Sequence, residues 1–463
     1  MTDVTRYDVI IIGSGQAGGP LATAFGQAGK KTAIIEREHV GGTCINEGCS
    51  PTKTMVASAR VAYLARRAAD YGVETGPISV DMSVVRKRKR EIVNSFRDGS
   101  QHRIESSKGV DLLMGEASFV RPKVIEVRLQ SGEVRQLTAD TICLNVGDRP
   151  SPARVDGIDT VPVLNSTSVM ELDQVPEHLL VLGGGYVGLE FGQMFRRFGS
   201  QVTIIQRGKQ VLSHEDADIA EEVTKILRED GIDVLLETSA VKVATDSNGQ
   251  IQLTVRGKQG ERVITGSHLL GAAGRTPNTD LLHLERAGVN VNEKGYIEVN
   301  ERLETNVPGI YALGDVKGGP AFTHISYDDF RILRTNLIED GQASIKGRAT
   351  IYTVFIDPQL GRVGLTETEA RQQNRHIKVA KMPMSSVARA LEVDESRGVM
   401  KVIVDADNEQ ILGASILGLE GGEIMSMLEI AMLGKLPYTT LRDGIFAHPT
   451  LAESLNNLFG YIE

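Results

Sequence analysis

Residues 7–18 read YDVIIIGSGQAG, an apolar run that ends in three spaced glycines, Gly13, Gly15 and Gly18. The run predicts a buried parallel strand, and the glycines predict a tight turn into a helix that extends to about Gly29. In such a unit the first glycine permits the turn, the second lets the backbone approach a pyrophosphate, and the third lets helix pack on strand. We therefore predict a dinucleotide cradle, with the helix N-terminus facing the phosphates.

The next predicted strand ends in an acid. Residues 31–35 read KTAII, and Glu36 follows them directly. A carboxylate at this position of a strand-turn-helix unit accepts hydrogen bonds from a ribose. The strand, the glycine turn, the helix and the terminal acid together predict that the N-terminal part of the chain binds a dinucleotide.

The same pattern recurs in residues 178–188, which read HLLVLGGGYVG. The glycines of the repeat are Gly183, Gly185 and Gly188, and the helix that follows is predicted to reach about Phe198. Because the pattern occurs twice, the chain is predicted to hold two dinucleotides.

The end of the next strand, residues 202–205, indicates which nicotinamide cofactor the second cradle takes. Gln206 and Arg207 stand where an acid would hold an unmodified ribose. Gln206 removes the charge that would repel a 2′-phosphate, and Arg207 is able to pair with one. These residues favour NADPH over NADH, and a solvated charge is the alternative interpretation of Arg207.

A pair of cysteines lies in residues 41–53, which read GGTCINEGCSPTK. In a straight α-helix the Cα atoms of Cys44 and Cys49 would lie roughly 8.7 Å apart, beyond the limit of about 7 Å for a disulfide. The glycines and Pro51 let the backbone bend, and a helix that starts near Cys44 would favour a thiolate. The pattern suits a redox-active dithiol, with reduced core thiols or half a metal site as the alternatives. Cys143, in an apolar run, is predicted to pack in a core.

The composition indicates a large globular protein. Its 463 residues suffice for about three domains, and 49 glycines suit tight turns around nucleotides. A net charge of −9 argues against nucleic acid as a general partner, and three cysteines do not make a secreted disulfide scaffold. The basic run 86–90 lies in a predicted helix, 82–96, and is expected to be a solvated face. No membrane segment is predicted, so we expect a cytoplasmic location.

Residues 446–453 read FAHPTLAE and carry a candidate acid-base pair. His448 is the side chain type most able to exchange a proton near neutral pH, and Glu453 is placed to fix its tautomer. Taken alone, a histidine before a proline is more often an ordinary loop residue.

Two cradles and a dithiol in one chain resemble the flavoprotein disulfide reductases, the family of dihydrolipoamide dehydrogenase, glutathione reductase and mercuric reductase. The resemblance spans nearly the whole chain and includes the blocks NVGDRP (145–150), GRTPN (274–278) and TNVPGIYALGD (305–315). It implies an α/β fold with two Rossmann-like domains, for FAD and NAD(P), and a C-terminal α+β dimerisation domain. The implied boundaries are 1–150 with 274–346 for FAD binding and the central segment, 151–273 for NAD(P), and 347–463 for the interface.

The resemblance also implies cofactor contacts. Those for FAD are Gly13, Gly15, Gly18, Glu36 and Asp315. Those for the nicotinamide nucleotide are Gly183, Gly185, Gly188, Gln206, Arg207 and Gly274, with Tyr186 as the gate to the nicotinamide pocket.

In the same way the resemblance implies catalytic roles. Cys49 is the thiol next to the flavin, Cys44 is the exposed thiol that attacks a substrate disulfide, and His448 protonates the departing thiolate. In the family this histidine comes from the partner subunit, which implies a homodimer. Lys53 and Glu190 are implied to form an ion pair near the flavin and nicotinamide.

The substrate is less well defined by the sequence. Residues 53–67 resemble the mercuric reductase branch, but the chain lacks that branch's C-terminal cysteine pair and keeps His448, so we favour a small-molecule disulfide. Arg60, Arg66 and Arg67 are candidates to meet an anionic substrate, with exposed helix charge as the alternative. Hg(II) reduction, dihydrolipoamide dehydrogenase activity, a flavin redox sensor with little turnover, and an oxidase or transhydrogenase remain alternatives.

Overall fold

The structure is a computed structural model that describes residues 4–462. Its strands are β1 (Val4–Arg6), β2 (Val9–Ile12), β3 (Thr32–Glu36), β4 (Val110–Arg121), β5 (Val124–Leu129), β6 (Val134–Thr138), β7 (Thr141–Leu144), β8 (Asp148–Pro150), β9 (Val163–Leu164), β10 (His178–Leu182), β11 (Gln201–Ile205), β12 (Asp233–Leu235), β13 (Ser239–Thr245), β14 (Ile251–Gly257), β15 (Gly260–Gly266), β16 (His268–Gly271), β17 (Arg275–Pro277), β18 (Ile310–Ala312), β19 (Ile351–Val354), β20 (Gln359–Gly364), β21 (Ile377–Pro383), β22 (Val399–Asp405) and β23 (Ile411–Gly418).

The α-helices are α1 (Gly18–Gln27), α2 (Gly42–Asn46), α3 (Cys49–Arg66), α4 (Met82–Glu105), α5 (Tyr186–Phe198), α6 (Ala217–Glu229), α7 (Leu284–Ala287), α8 (Thr323–Leu337), α9 (Glu367–Gln372), α10 (Ala388–Glu392), α11 (Gly421–Leu433), α12 (Tyr438–Arg442) and α13 (Ser454–Phe459). None of the helices described between residues 4 and 462 combines the length and the apolar character needed to cross a membrane.

The chain divides into two compact units, each made of separated segments. Unit 1 comprises Met1–Thr54, Val84–Ser151 and Gly274–Arg348, and unit 2 comprises Met55–Ser83, Pro152–Ala273 and Ala349–Glu463.

Unit 1 contains an eight-stranded sheet in the order β1-β6-β5-β4-β3-β2-β7-β18. The strands from β4 to β18 in this order are parallel, as predicted for a dinucleotide-binding fold. All four residues of β2 are buried, which explains why this strand reads as a continuous apolar run. The two-stranded ribbon of β8 and β17 belongs to the same unit.

Unit 2 contains three sheets. A parallel five-stranded sheet has the order β12-β11-β10-β16-β9, and an antiparallel three-stranded sheet has the order β13-β14-β15. The C-terminal segment forms an antiparallel five-stranded sheet, β19-β20-β23-β22-β21, which shares a hydrophobic core with α11 and α13. This arrangement confirms the predicted fold class of two nucleotide-binding folds and a C-terminal α+β domain.

Helix α4 differs from its prediction in length and in exposure. It extends nine residues beyond the expected end, to Glu105, and Lys89 within the basic run is only 3% exposed. Lys89 lies on the same buried stripe as Val93 and Ile104, at helical spacing, so the prediction of a wholly solvated face is wrong there. Its neighbour Arg88 donates a 2.9 Å hydrogen bond to the Thr54 carbonyl.

Candidate functional site

The first cradle joins the end of β2 to the start of α1. Gly13 has a φ of +99°, and a Cβ atom there would lie 2.3 Å from the Asn145 carbonyl oxygen. A Cβ on Gly18 would lie 2.1 Å from the Gly13 carbonyl oxygen, so helix and strand meet too closely for any other residue. The backbone of Gly15 is approached by Gly42, where a Cβ would lie 2.7 Å from the Gly15 Cα atom. The three glycines therefore leave the backbone of this loop without side chains, which allows the close approach of a pyrophosphate.

Glu36 ends β3 beside this turn. Its Oε2 accepts hydrogen bonds from the Ser14 backbone N–H at 3.0 Å and from the Ser14 hydroxyl at 2.6 Å, and its Oε1 accepts from the Glu38 N–H at 3.0 Å. These bonds fix the carboxylate at the turn, and its remaining lone pairs are able to accept ribose hydroxyls. The residues of this cradle fit the adenosine diphosphate half of FAD.

Asp315 lies in a 3-10 helix, Gly314–Lys317, also in unit 1. Its side chain is half-buried. Burial is the largest cause that raises the pKa of Asp315 to about 7, and the charge of Asp148 adds to it. A carboxyl group that carries a proton near neutral pH is able both to donate and to accept a hydrogen bond.

The two cysteines of the predicted dithiol lie at the junction of α2 and α3. Both are thiols in the structure, and they share a hydrogen bond. The Cys49 Sγ atom lies 3.4 Å from the Thr323 Oγ1 atom, and the same hydroxyl contacts Cys44. The hydrogen bond with Cys49, burial and the charge of Cys49 raise the pKa of the Cys44 thiol, and Thr323 and Lys53 act in the opposite direction.

The local backbone corrects one expectation about this site. The long helix begins at Cys49 rather than near Cys44, which lies inside the five-residue helix α2. The helix is interrupted at residues 47–48. This is the predicted departure from a straight helix, in which the two cysteines would be too far apart to form a disulfide. Cys49 at a helix start is exposed and Cys44 is half-buried, and the separate roles of the two thiols stay a prediction.

Thr323 is a contact that sequence reasoning missed. It is the first residue of α8, and it lies 274 positions from Cys49 in the sequence. The only local signal is a hydroxyl residue at the start of this helix, and this signal is common.

The second cradle, in unit 2, joins β10 to α5. A Cβ on Gly188 would lie 2.1 Å from the Gly183 carbonyl oxygen, whereas a Cβ on Gly185 would meet nothing within 4 Å. Helix and strand therefore pack closely at Gly188, and the backbone at Gly185 has free space beside it. This space fits a pyrophosphate. Tyr186 is the first residue of α5 and is half-buried. Gly274, in unit 1, has a φ of +145° and accepts a hydrogen bond from the Ser151 N–H.

Gln206 and Arg207 follow β11 directly. The Gln206 Oε1 accepts a 3.2 Å hydrogen bond from the Gly184 N–H, and its Nε2 donates to the Gln210 carbonyl at 3.0 Å. These hydrogen bonds stabilise the glycine turn of the second cradle without adding a charge. Arg207, the next residue, is exposed. The pair fits a nucleotide that carries a 2′-phosphate.

Lys53 and Glu190 belong to different units. Lys53 lies in α3, one turn after Cys49, and is half-buried. Glu190 lies in α5, is 4% exposed and accepts a 2.8 Å hydrogen bond from the Phe355 N–H. Their pairing stays a prediction.

His448 and Glu453 are in direct contact. The His448 Nδ1 atom lies 2.9 Å from Glu453 Oε2 and 3.1 Å from Oε1. Because a carboxylate only accepts, Nδ1 carries the hydrogen, and Nε2 is the nitrogen left to exchange protons. The His448 side chain is 67% exposed, so this nitrogen is accessible at the surface of unit 2.

The three arginines considered for an anionic substrate make structural contacts. Arg66 donates to the last carbonyls of α5, Arg67 pairs with Asp394, and Arg60 lies 3.1 Å from Glu420. Arg66 and Arg67 line a pocket of about 510 Å³ in unit 2, but their charges are matched by carbonyls and carboxylates.

The fold, the two cradles and the dithiol define a flavin-dependent disulfide oxidoreductase, and comparison with known proteins agrees. The chain belongs to the pyridine nucleotide-disulphide oxidoreductase family, whose model matches residues 7–329, and residues 350–459 match the family's dimerisation domain. Enzymes of this class bind FAD and NAD(P)H, as predicted for this chain.

Among its relatives, the probable pyridine nucleotide-disulfide oxidoreductase RclA of Escherichia coli is 38% identical, over 99% of this chain and 100% of that protein. A mercuric reductase of Staphylococcus aureus is 34% identical, over 97% of this chain and 81% of that protein. A solved Cu(II) complex of the HOCl-induced flavoprotein disulfide reductase RclA from Escherichia coli superposes with a TM-score of 0.90, at 38% identity and 99% coverage of both chains.

Proposed function

We propose that this enzyme reduces a small-molecule disulfide with electrons from NAD(P)H, through FAD and the Cys44–Cys49 pair. The contact of both thiols with each other and with the Thr323 hydroxyl, in the unit that carries the first cradle, is the observation that supports it most. When bound, FAD passes the electron pair of the nicotinamide to the disulfide form of the two cysteines. The overall reaction consumes one NAD(P)H, one proton and one disulfide and yields NAD(P)⁺ and two thiols.

The cysteines act in sequence in this proposal. The Cys44 thiolate attacks one sulfur of the substrate, forms a mixed disulfide and releases the first thiolate. Cys49 then attacks the Cys44 sulfur, closes the intrachain disulfide and releases the second thiolate. The order of the two cysteines follows the family resemblance. His448 protonates a departing thiolate through Nε2, because Glu453 holds Nδ1.

The assembly that we propose is a homodimer, in which His448 serves the dithiol of the other copy. The match of residues 350–459 to a dimerisation domain supports it. NADPH is the proposed electron donor, supported by the uncharged Gln206 at the second turn and the exposed Arg207. Tyr186 is proposed as the gate of the nicotinamide pocket, and a cytoplasmic location is proposed because NADPH is held there.

The experiment is NADPH and NADH oxidation by the purified holoenzyme with lipoamide, glutathione disulfide, other small disulfides, Hg(II) and Cu(II). The metals belong in the panel because a mercuric reductase and a Cu(II) complex of a disulfide reductase are among the relatives. Fast turnover of one disulfide with NADPH would support the proposal. Turnover with a metal alone would replace it by metal reduction, and no turnover with any acceptor would favour a redox sensor.

A further inference from the structure

Asp329 is a buried carboxylate of α8 that contacts both ends of the 3-10 helix Gly314–Lys317 in unit 1. It is 0% exposed. Its Oδ2 atom accepts a 2.8 Å hydrogen bond from the Gly314 N–H and lies 3.3 Å from the Lys317 Nζ atom. One oxygen atom therefore contacts the first and the last residue of this short helix. Asp315 lies between these two contacts.

Helix α8 also packs tightly against Gly314. This glycine has a φ of +68°, and a Cβ atom there would lie 2.6 Å from the Ser326 Oγ atom. Thr323, Ser326 and Asp329 follow one another at a spacing of three residues, so they form one ridge of α8. Thr323 contacts the dithiol. One ridge of a single helix therefore contacts both the dithiol and the 3-10 helix that carries Asp315.

Arg348 fixes the position of the Asp329 side chain. Its Nη2 atom donates to Asp329 Oδ1 at 2.9 Å, so both carboxylate oxygens accept hydrogen bonds. Lys317 is also buried, with a side chain that is 7% exposed. A buried charge that loses its partner is strongly disfavoured, so the ammonium group of Lys317 stays beside Asp329. The 3-10 helix is therefore held at both ends by a carboxylate that is itself held in place.

We propose that Asp329 is a positioning residue of the flavin site, which fixes the 3-10 helix Gly314–Lys317 and thereby holds Asp315 in the orientation that binds FAD. The proposal rests on the assignment of Asp315 to FAD by the family resemblance. Asp329 acts through Asp315 and needs no contact with the cofactor. A side chain that is ordered before its ligand arrives loses less conformational entropy on binding, so the affinity is higher.

Asp329→Asn keeps an amide oxygen for the Gly314 N–H but removes the charge that holds Lys317. We expect FAD to bind about tenfold more weakly to this variant, because a hydrogen bond to a charged group contributes about that factor or more. Asp328→Asn is the matched control. Asp328 is the preceding residue of α8 and also pairs with Arg348, at 2.8 Å, but its side chain is 37% exposed. This variant should bind FAD within about twofold of the wild type.

The test is the release of FAD from the diluted holoprotein at equilibrium, followed by flavin fluorescence. It compares the wild type, Asp329→Asn, Asp315→Asn and the double variant. We expect Asp315→Asn to weaken binding about tenfold or more, and Asp329→Asn to weaken it by less than a further twofold in that background. A purely structural role of Asp329 would lower the affinity by the same factor in both backgrounds, and this result would overturn the proposal. Wild-type affinity of Asp329→Asn would overturn it as well.

If Asp329→Asn does not fold, Lys317→Met tests the same contact from its other partner. It removes the ammonium group and keeps most of the side-chain volume. We expect about fivefold weaker FAD binding in the wild-type background and less than a twofold effect in Asp315→Asn. Equal effects in the two backgrounds would overturn the proposal.

Two outcomes separate this proposal from the proposed function. If Asp315→Asn binds FAD as the wild type does, the assignment of Asp315 to FAD fails and this proposal fails with it, whereas disulfide turnover by the wild-type enzyme is unaffected. If the wild type turns over no disulfide but Asp329→Asn binds FAD about tenfold more weakly only when Asp315 is present, the proposed function fails and the role of Asp329 is supported.

Discussion

Lys401 is a buried cation in β22, and its replacement by methionine should destabilise unit 2 strongly. Its side chain is 4% exposed, and its ammonium group lies 3.0 Å from Asp216, 3.1 Å from Asp218 and 2.8 Å from Glu367. Lys401→Met keeps most of the side-chain volume and removes the charge. Asp216 then has no cation beside it, whereas Asp218 keeps Lys381 at 2.8 Å and Glu367 keeps Arg371 at 2.7 Å.

The magnitude follows from the burial of the site. Removal of one partner from a buried ion pair costs about 3–5 kcal/mol, because the remaining charge is left uncompensated. Asp216 is 5% exposed and keeps hydrogen bonds from Thr368, which is too little to replace the ammonium group. Lys381 is the matched control: it lies opposite Lys401 on β21 and contacts the same Asp218 at 2.8 Å, but it is 45% exposed. Lys381→Met should lower the free energy of unfolding by only about 0–1 kcal/mol.

The assay is urea unfolding of the holoprotein, followed by circular dichroism at pH 8 and pH 5. Burial opposes the ionisation of Asp216, but bonds from Thr368 and Lys401 outweigh it and lower its pKa. A lowered folded pKa gives stability that is lost only as pH falls through that value, so the wild type keeps this contribution down to pH 5. Without Lys401 the buried Asp216 carboxylate has a raised pKa and gains a proton as the pH falls. The difference in unfolding free energy between the wild type and Lys401→Met should therefore be smaller at pH 5 than at pH 8. Equal losses of unfolding free energy for Lys401→Met and Lys381→Met at pH 8 would show that the burial of Lys401 adds nothing to its contribution.

Three further predictions concern the site. Thr323→Val removes the hydroxyl that contacts both sulfurs, so alkylation of the cysteines by iodoacetamide should shift to higher pH by about 0.5–1 unit, and Thr335→Val on the same helix should not shift it. Gln206→Glu keeps an acceptor for the Gly184 N–H but adds a charge, so KM for NADPH should rise about tenfold with KM for NADH unchanged; an equal rise for both would show disruption of the turn instead. Glu453→Gln should slow disulfide turnover about tenfold or more and leave flavin reduction by NADPH unchanged in stopped-flow spectra; slower flavin reduction would contradict its role beside the histidine.

The sequence predicted those parts of the fold and site that are specified locally. Strand β10 begins and ends where the apolar run does, and α5 ends at the predicted Phe198. The close approaches of Gly18 to Gly13 and of Gly188 to Gly183 are local, because the two glycines of each pair are five residues apart. The His448–Glu453 contact is also local, since both side chains belong to one short loop and the helix start that follows it.

Contacts between distant segments were not predictable in the same way. Thr323 reaches the cysteines because α8 returns to the first cradle, and no short pattern encodes that return. Asp148 and Arg275 each lie in a block that the sequence singled out, yet their ion pair requires the antiparallel pairing of β8 with β17. Lys89 is buried because it lies on the same face of α4 as Val93 and Ile104, and a basic run alone does not reveal this.

The role of the Cys44–Cys49 pair is tested by disulfide turnover of Cys44→Ser, compared with the wild-type holoenzyme at equal flavin content. We expect that NADPH still reduces the flavin and that NADPH-dependent reduction of the disulfide is lost, because the thiolate that attacks the substrate is gone. Wild-type rates of disulfide reduction by Cys44→Ser would contradict the claim that electrons leave the enzyme through the Cys44–Cys49 pair.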